Sequence, residues 1–111
     1  ILNIISKSGQ GSPLAVLKLF GPKNKNYLSF PTEGYTLALD FKNQPALFPL
    51  LDVLDKIVLE YGGKIYLAKD ARIKEQDFKK GYNQISKFLK IRQQNNLNKK
   101  FQSIQSRRLG L

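Results

Sequence analysis

Leu47, Leu50, Leu51, Leu54, Ile57, Val58 and Tyr61 recur at helical spacing and are followed at once by Gly62-Gly63. The spacing places them on one stripe of an α-helix, and such a stripe needs another element to cover it. The glycine pair ends the helix, since the left-handed turn that closes a helix suits a residue without Cβ. Proline is tolerated in a first turn and not deeper, so the helix begins near Pro45 or Pro49.

What covers the stripe is read from period-two segments. Tyr35 to Phe41 alternates, with Leu37, Leu39 and Phe41 on one side and Thr36, Ala38 and Asp40 on the other. Leu14 to Phe20 reads as a strand stopped by Gly21-Pro22, and Lys64 to Lys69 as a third strand. Residues 7–13 are a loop by composition, and Ile1 to Ile5 is too short to assign. In the last third, Phe78, Tyr82, Ile85, Phe88 and Leu89 return to helical spacing, with a break at Gly81 and an end at Asn95-Asn96. Phe101, Ile104 and Leu109 form the apolar face of a short terminal helix. The expected fold is α+β, a single domain over residues 1–111. It has a small antiparallel or mixed sheet, with strands near 14–20, 35–41 and 64–69 and helices packed on one face.

Composition removes whole classes of chemistry. The chain has no cysteine and no histidine, which excludes disulfides, thiolate or imidazole metal sites, a cysteine nucleophile and a Ser-His-Asp triad. No Walker A motif, GxGxxG or paired-carboxylate or metal-ligand cluster is present, so no metal is expected. Gly62-Gly63 follows a helix and precedes a strand, the wrong order for a phosphate-binding loop. The apolar runs fall far short of the about 20 residues that span a bilayer. The chain begins at Ile1 without the pattern of a signal peptide and reads as a piece of a longer protein.

The net charge of +11 is uneven. Residues 1–70 carry eight basic and six acidic groups, residues 71–111 eleven and two. A basic half favours an anionic partner: nucleic acid, an acidic membrane surface or phosphate groups.

The candidate site residues are polar groups on the sheet face away from the helices, because helices need only one face. Lys18 interrupts an apolar strand and either faces solvent or holds a cation over a pocket. Thr36, Ala38 and Asp40 share one face, either as ordinary solvent-facing positions or as room for a ligand against the sheet. Tyr66 and Lys69 could offer a phenol and an ammonium to a polar or anionic ligand. Strict alternation would part them, so both reach one site only if the strand ends or bulges near Ala68. Asp70 and Arg72 read as a local ion pair of under about 1 kcal/mol.

Five blocks stand in order: Val16-Leu17-Lys18-Leu19-Phe20-Gly21-Pro22; Leu28-Ser29-Phe30-Pro31; Gly34-Tyr35-Thr36-Leu37-Ala38-Leu39-Asp40-Phe41; Gly62-Gly63-Lys64-Ile65-Tyr66-Leu67-Ala68-Lys69-Asp70; and Ser106-Arg107-Arg108-Leu109. Together they resemble the C-terminal part of FAD-linked sugar oxidases of the vanillyl-alcohol-oxidase superfamily. The pattern is most like the decaprenylphosphoryl-ribose oxidases, with the aldonolactone oxidases further off. The resemblance implies a bacterial FAD-dependent oxidoreductase that removes a hydride from a sugar carbon to flavin N5. It makes this chain the substrate-side C-terminal fragment, inactive alone, with FAD held mainly by an N-terminal portion absent here. On that likeness Lys69 matches the lysine beside flavin and substrate, the catalytic assignment. Tyr66, Lys18, Thr36 and Ala38 match pocket-lining positions, and Asp40 lies beside them. Ala38 departs from the cysteine of some relatives, and Thr36 from the asparagine of the mycobacterial-type enzymes. Lys74 stands where relatives often have a capping Ser or Thr.

The implied partners are the N-terminal FAD-binding domain, a sugar or polyprenyl-phosphate sugar, and an anionic membrane met peripherally from the cytoplasm. The competing reading is a small basic nucleic-acid-binding module with Arg72, Lys79, Lys80, Lys87, Lys90 and Arg92 as its footprint. Against nucleic acid, Phe78, Tyr82 and Phe88 recur at core spacing and not as stacking platforms.

Overall fold

The computed structural model describes residues 1–97 and 100–111 in full. Helix α1 (Leu2–Ser8) precedes strands β1 (Leu14–Phe20) and β2 (Gly34–Asp40), and helix α2 (Leu47–Glu60) follows. A single 3-10 turn, Leu67–Lys69, leads into helices α3 (Glu75–Gly81), α4 (Ile85–Gln94), α5 (Leu97–Lys100) and α6 (Ile104–Arg108). The fold is small α+β.

Helix α2 begins between the two candidate prolines, and Pro49 lies in its first turn, where its missing N–H costs no helical bond. Gly62 takes φ +72, and the Gly63 amide donates to Val58 O at 2.8 Å, closing the helix end. A Cβ on Gly63 would stand 2.8 Å from Val58 Cγ1 and 2.9 Å from Val58 O, so close approach demands glycine there. Helix α1 extends to Ser8, so the loop expected over residues 7–13 begins two residues later.

Strands β1 and β2 pair antiparallel, with Leu17 opposite Leu37 and Lys18 opposite Thr36. Facing residues share a side of the sheet. One side therefore carries Ala15, Leu17, Leu19, Tyr35, Leu37 and Leu39, the other Leu14, Val16, Lys18, Thr36, Ala38 and Asp40. The helices meet the first side through Leu39, which with Phe41 packs on a core of Ile5, Leu47, Leu50 and Leu54. A second core, Ile73, Phe78, Tyr82, Ile85 and Leu109, joins α3, α4 and the end of α6.

The third expected strand does not form. Residues 63–66 have no ladder partner, and residues 67–69 turn into the 3-10 segment. The backbone acceptors a ladder would use are taken by side chains: Tyr82 Oη donates to Ile65 O at 2.9 Å and Gln105 Nε2 to Leu67 O at 2.6 Å. The terminal helix forms, but without the expected shared apolar face. Leu109 is buried, while Phe101 and Ile104 are 65% and 89% exposed. The capping box of Ser103 and Ser106 starts that helix without help from either.

Candidate functional site

Residues Lys18, Thr36, Ala38 and Asp40 lie on the sheet side opposite Leu39 and its helical core. Small side chains in the middle of this face, Thr36 and Ala38, leave a shallow bed. Two longer groups stand at its ends. At one, Phe20 meets Phe30 edge-on at 6.0 Å between centroids, and Phe30 meets Tyr66 at 4.9 Å. At the other, Lys69 Nζ is 4.0 Å from Asp40 Oδ1, both side chains largely exposed. Contact at that distance between exposed groups is weak.

Tyr66 and Lys69 reach the same face because the chain, which forms no strand here, turns between them. Tyr66 is still extended, with φ −75 and ψ 117. The 3-10 turn then breaks the two-residue alternation, and the Asp70 amide donates to Leu67 O at 3.2 Å. With no strand over residues 64–69, alternation does not part the pair, and the turn at Leu67–Lys69 stands in place of the strand end or bulge expected near Ala68.

The supporting contacts are specific. Ser12 Oγ accepts from the Asp40 amide at 3.0 Å and lies 2.6 Å from Leu14 O as a donor, pinning the strand ends beside Asp40. Lys64 Nζ donates to Ser29 O at 2.8 Å, tying the 21–33 connection to the segment that bears Tyr66. Burial, aided by Lys23, pushes the Lys64 ammonium below its ordinary value.

Asp70 is the anchor of the turn. Its Oδ1 accepts from the amides of Arg72 (2.9 Å) and Ile73 (2.8 Å), and its Oδ2 from Arg108 Nη2 (2.6 Å). Burial pushes its carboxyl up, but the Ile73 amide, the Arg108 guanidinium and the Arg72 amide outweigh burial and hold it below the ordinary range. The expected Asp70–Arg72 ion pair is thereby corrected. Only the Arg72 amide meets Asp70, and the Arg72 guanidinium bridges Asp52 (2.8 Å) and Asp55 (2.6 Å) on α2. Burial leads the Asp55 shift and raises its carboxyl despite Arg72. Lys74 is the N-cap of α3 and makes no side-chain cap bond.

Phe30, Gln105 and the role of Arg108 escaped the sequence reading. Phe30 sits in a turn-rich connection without periodicity, and Arg108 meets Asp70 across 38 residues. The only sequence signal of Phe30 and Arg108 was membership in the ordered blocks, and Gln105 had none.

The arrangement suits a flat, polar ligand with negative charge: a bed of small residues, an aromatic wall and two ammonium groups. It forms an open face and not a closed cavity. Two surface depressions of about 450 and 390 Å³ lie elsewhere, lined by Lys74, Glu75, Gln76 and Lys79, and by Leu89, Arg92, Gln93, Gln102, Gly110 and Leu111. Among the described residues, no group of three His, Cys, Asp or Glu side chains is placed to hold a metal. No helix among the described residues is long and apolar enough to cross a membrane. For nucleic acid, Phe78 and Tyr82 are buried and so offer no stacking platform, and Arg72 is committed to two carboxylates.

No protein-family model matches the chain. Over 107 residues, 96% of its length, it is 40% identical to decaprenylphosphoryl-beta-D-ribose oxidase of Mycolicibacterium smegmatis. It is 32% identical over 108 residues to an uncharacterized protein of the mprA 5′ region of Streptomyces coelicolor. The chain spans 23% and 29% of the lengths of these two relatives. The similarity to the first, an oxidase, falls in its C-terminal part and supports a C-terminal fragment of that enzyme type.

Proposed function

We propose that this chain is the substrate-side segment of an FAD-dependent oxidase that converts a sugar hydroxyl, free or carried on a polyprenyl phosphate, to a carbonyl. The observation that carries the reading is the face of Lys18, Thr36, Ala38 and Asp40, with Tyr66 and Lys69 brought to it by the turn after Tyr66. The sequence similarity to an oxidase adds the reaction class.

The residues fit one side of a flavin. Thr36 and Ala38 leave room for a flat ring, and Lys18 and Lys69 offer positive charge beside it. The chain has no glycine-rich turn opening a helix to receive the dinucleotide phosphates, so that half of the binding falls to another part of the protein. When bound, the flavin supplies the hydride acceptor.

The work of this chain is electrostatic and positional. Oxidation of a carbinol places negative charge on the acceptor, and a fixed ammonium next to it stabilises that charge without solvent reorganisation. Lys69 is assigned to this role, not to that of a base. Lys18 lies on the same face and faces the same ligand, including the phosphate of a lipid-linked sugar. Tyr66, seated against Phe30, orients the sugar with its phenol.

The second contact in this reading is with an anionic membrane, where a polyprenyl-linked substrate would reside. Residues 78–111 hold nine basic side chains and no acidic one, a composition that draws a protein to anionic lipid from the cytoplasmic side.

The test is Lys69→Ala in the full-length flavoprotein. Loss of a preorganised charge at the acceptor lowers turnover by about 10²-fold or more, while the circular-dichroism spectrum and flavin content stay as in the wild type. Unchanged turnover removes Lys69 from the mechanism.

A further inference from the structure

The block Ser106-Arg107-Arg108-Leu109 has no task in the function above, yet its helix is tied to the turn that presents Lys69. Leu109 is buried in the second core and seats α6. From this seat two side chains three residues apart on α6 reach back to the 67–73 segment. Gln105 Nε2 donates to Leu67 O at 2.6 Å and approaches Asp70 O at 3.4 Å. Arg108 donates to Ile73 O at 2.5 Å and to Asp70 Oδ2 at 2.6 Å. The Gln105 partners are both carbonyl oxygens, which only the amide nitrogen can serve. Residues 67 and 70 bracket the 3-10 turn, so α6 holds both ends of it.

Lys69 needs such support. Its side chain is 76% exposed and meets Asp40 only at 4.0 Å, too loosely to fix an ammonium. What directs it is the backbone from which it departs. A single 3-10 turn with one internal bond does not hold its shape alone. The clamp supplies the missing restraint, with one neutral donor and one forked guanidinium.

We propose that Gln105 and Arg108 are positioning residues for Lys69, acting through the Leu67–Asp70 backbone and touching neither flavin nor substrate. The inference rests on the flavin-facing role of Lys69 proposed above.

The experiment uses the full-length flavoprotein and sulfite, whose adduct with oxidised flavin places negative charge where an adjacent ammonium stabilises it. Bleaching of the flavin absorbance gives the dissociation constant without turnover. Lys69→Ala, Gln105→Leu, Arg108→Lys and the double variant Lys69→Ala/Gln105→Leu are compared, with Arg107→Ala as a neighbour outside the clamp. Hydrogen exchange of the Asp70 amide reports the turn directly.

Gln105→Leu should weaken sulfite binding, by up to the about 100-fold that an ångström of misplacement can cost, and should speed exchange at Asp70. Arg108→Lys keeps the charge beside Asp70 but loses the fork, and should act in the same direction. Arg107→Ala should leave both readouts unchanged. The deciding result is that Gln105→Leu adds nothing once Lys69 is alanine. An equal loss in both backgrounds would mean a general structural effect and would overturn the inference, as would wild-type sulfite affinity in both Gln105→Leu and Arg108→Lys. If Lys69→Ala weakens sulfite binding and the clamp variants do not, the clamp alone is refuted. If Lys69→Ala has no effect, the flavin-facing role falls and the clamp falls with it.

Discussion

Replacing Asp70 by alanine and by asparagine separates two jobs that one carboxylate performs. Asp70→Ala removes the acceptor for two amides, at 2.8 and 2.9 Å, and the partner of Arg108 at 2.6 Å. Hydrogen bonds to a charged group are each worth about 1.5–3 kcal/mol. They share one side chain and do not add, and Arg108 is 26% exposed and regains water once released. A loss of about 3 kcal/mol follows, within the range for breaking a largely buried pair. Asp70→Asn keeps Oδ1 for the two amides and turns an NH₂ toward Arg108, so it loses the charge pairing, about 1.5 kcal/mol. In hydrogen exchange at the Arg72 and Ile73 amides these values are about 100-fold and about tenfold faster opening.

The pH dependence carries a sign. The folded Asp70 carboxyl lies below its ordinary value of 3.8, so its contribution is fully present above that value and is lost as pH falls through the lower folded one. The stability gap between wild type and Asp70→Asn, read from urea midpoints, should be constant above pH 3.8 and close below it. Wild-type exchange rates in Asp70→Asn would refute the charge component, and equal rates in Asp70→Ala and Asp70→Asn would refute the amide-acceptor component. A gap that widens on acidification would refute the linkage argument.

Two further substitutions test the frame around the site. Arg72→Met leaves Asp55 without its bridge and should destabilise by about 3 kcal/mol at neutral pH; because the Asp55 carboxyl is already raised and would rise further, the penalty should shrink in acid as it takes up a proton, read from urea melts at two pH values. Gly63→Ala forces a Cβ against Val58 and should cost about 1–3 kcal/mol in the same assay.

The elements with strong local periodicity were legible in the sequence. The α2 helix, the alternation of β2 and the break at Gly81 each follow from spacing within a few residues. Leu47, Leu50 and Leu54 of the α2 stripe fill a core, whereas Tyr61, expected on the same stripe, lies just past the helix and is 85% exposed. The face of Thr36, Ala38 and Asp40 was legible too, since alternate side chains of a strand share one side. The site was therefore half readable: which residues share a face, but not what holds the rest against it.

The Lys64–Lys69 segment shows where that reading ends. Its composition, Lys-Ile-Tyr-Leu-Ala-Lys, suits a strand, yet a strand exists only with a partner. Here Tyr82 and Gln105 take its carbonyls, from 17 and 38 residues away. Phe101 and Ile104 likewise had helical spacing with Leu109 but no core to enter. Local pattern fixes conformational preference and facing, because both depend on neighbours a few residues apart. Tertiary structure alone decided the turn after Tyr66, the Asp70–Arg108 pair and the direction of Lys69, because each rests on hydrogen bonds whose partners are distant in the chain and carry no period.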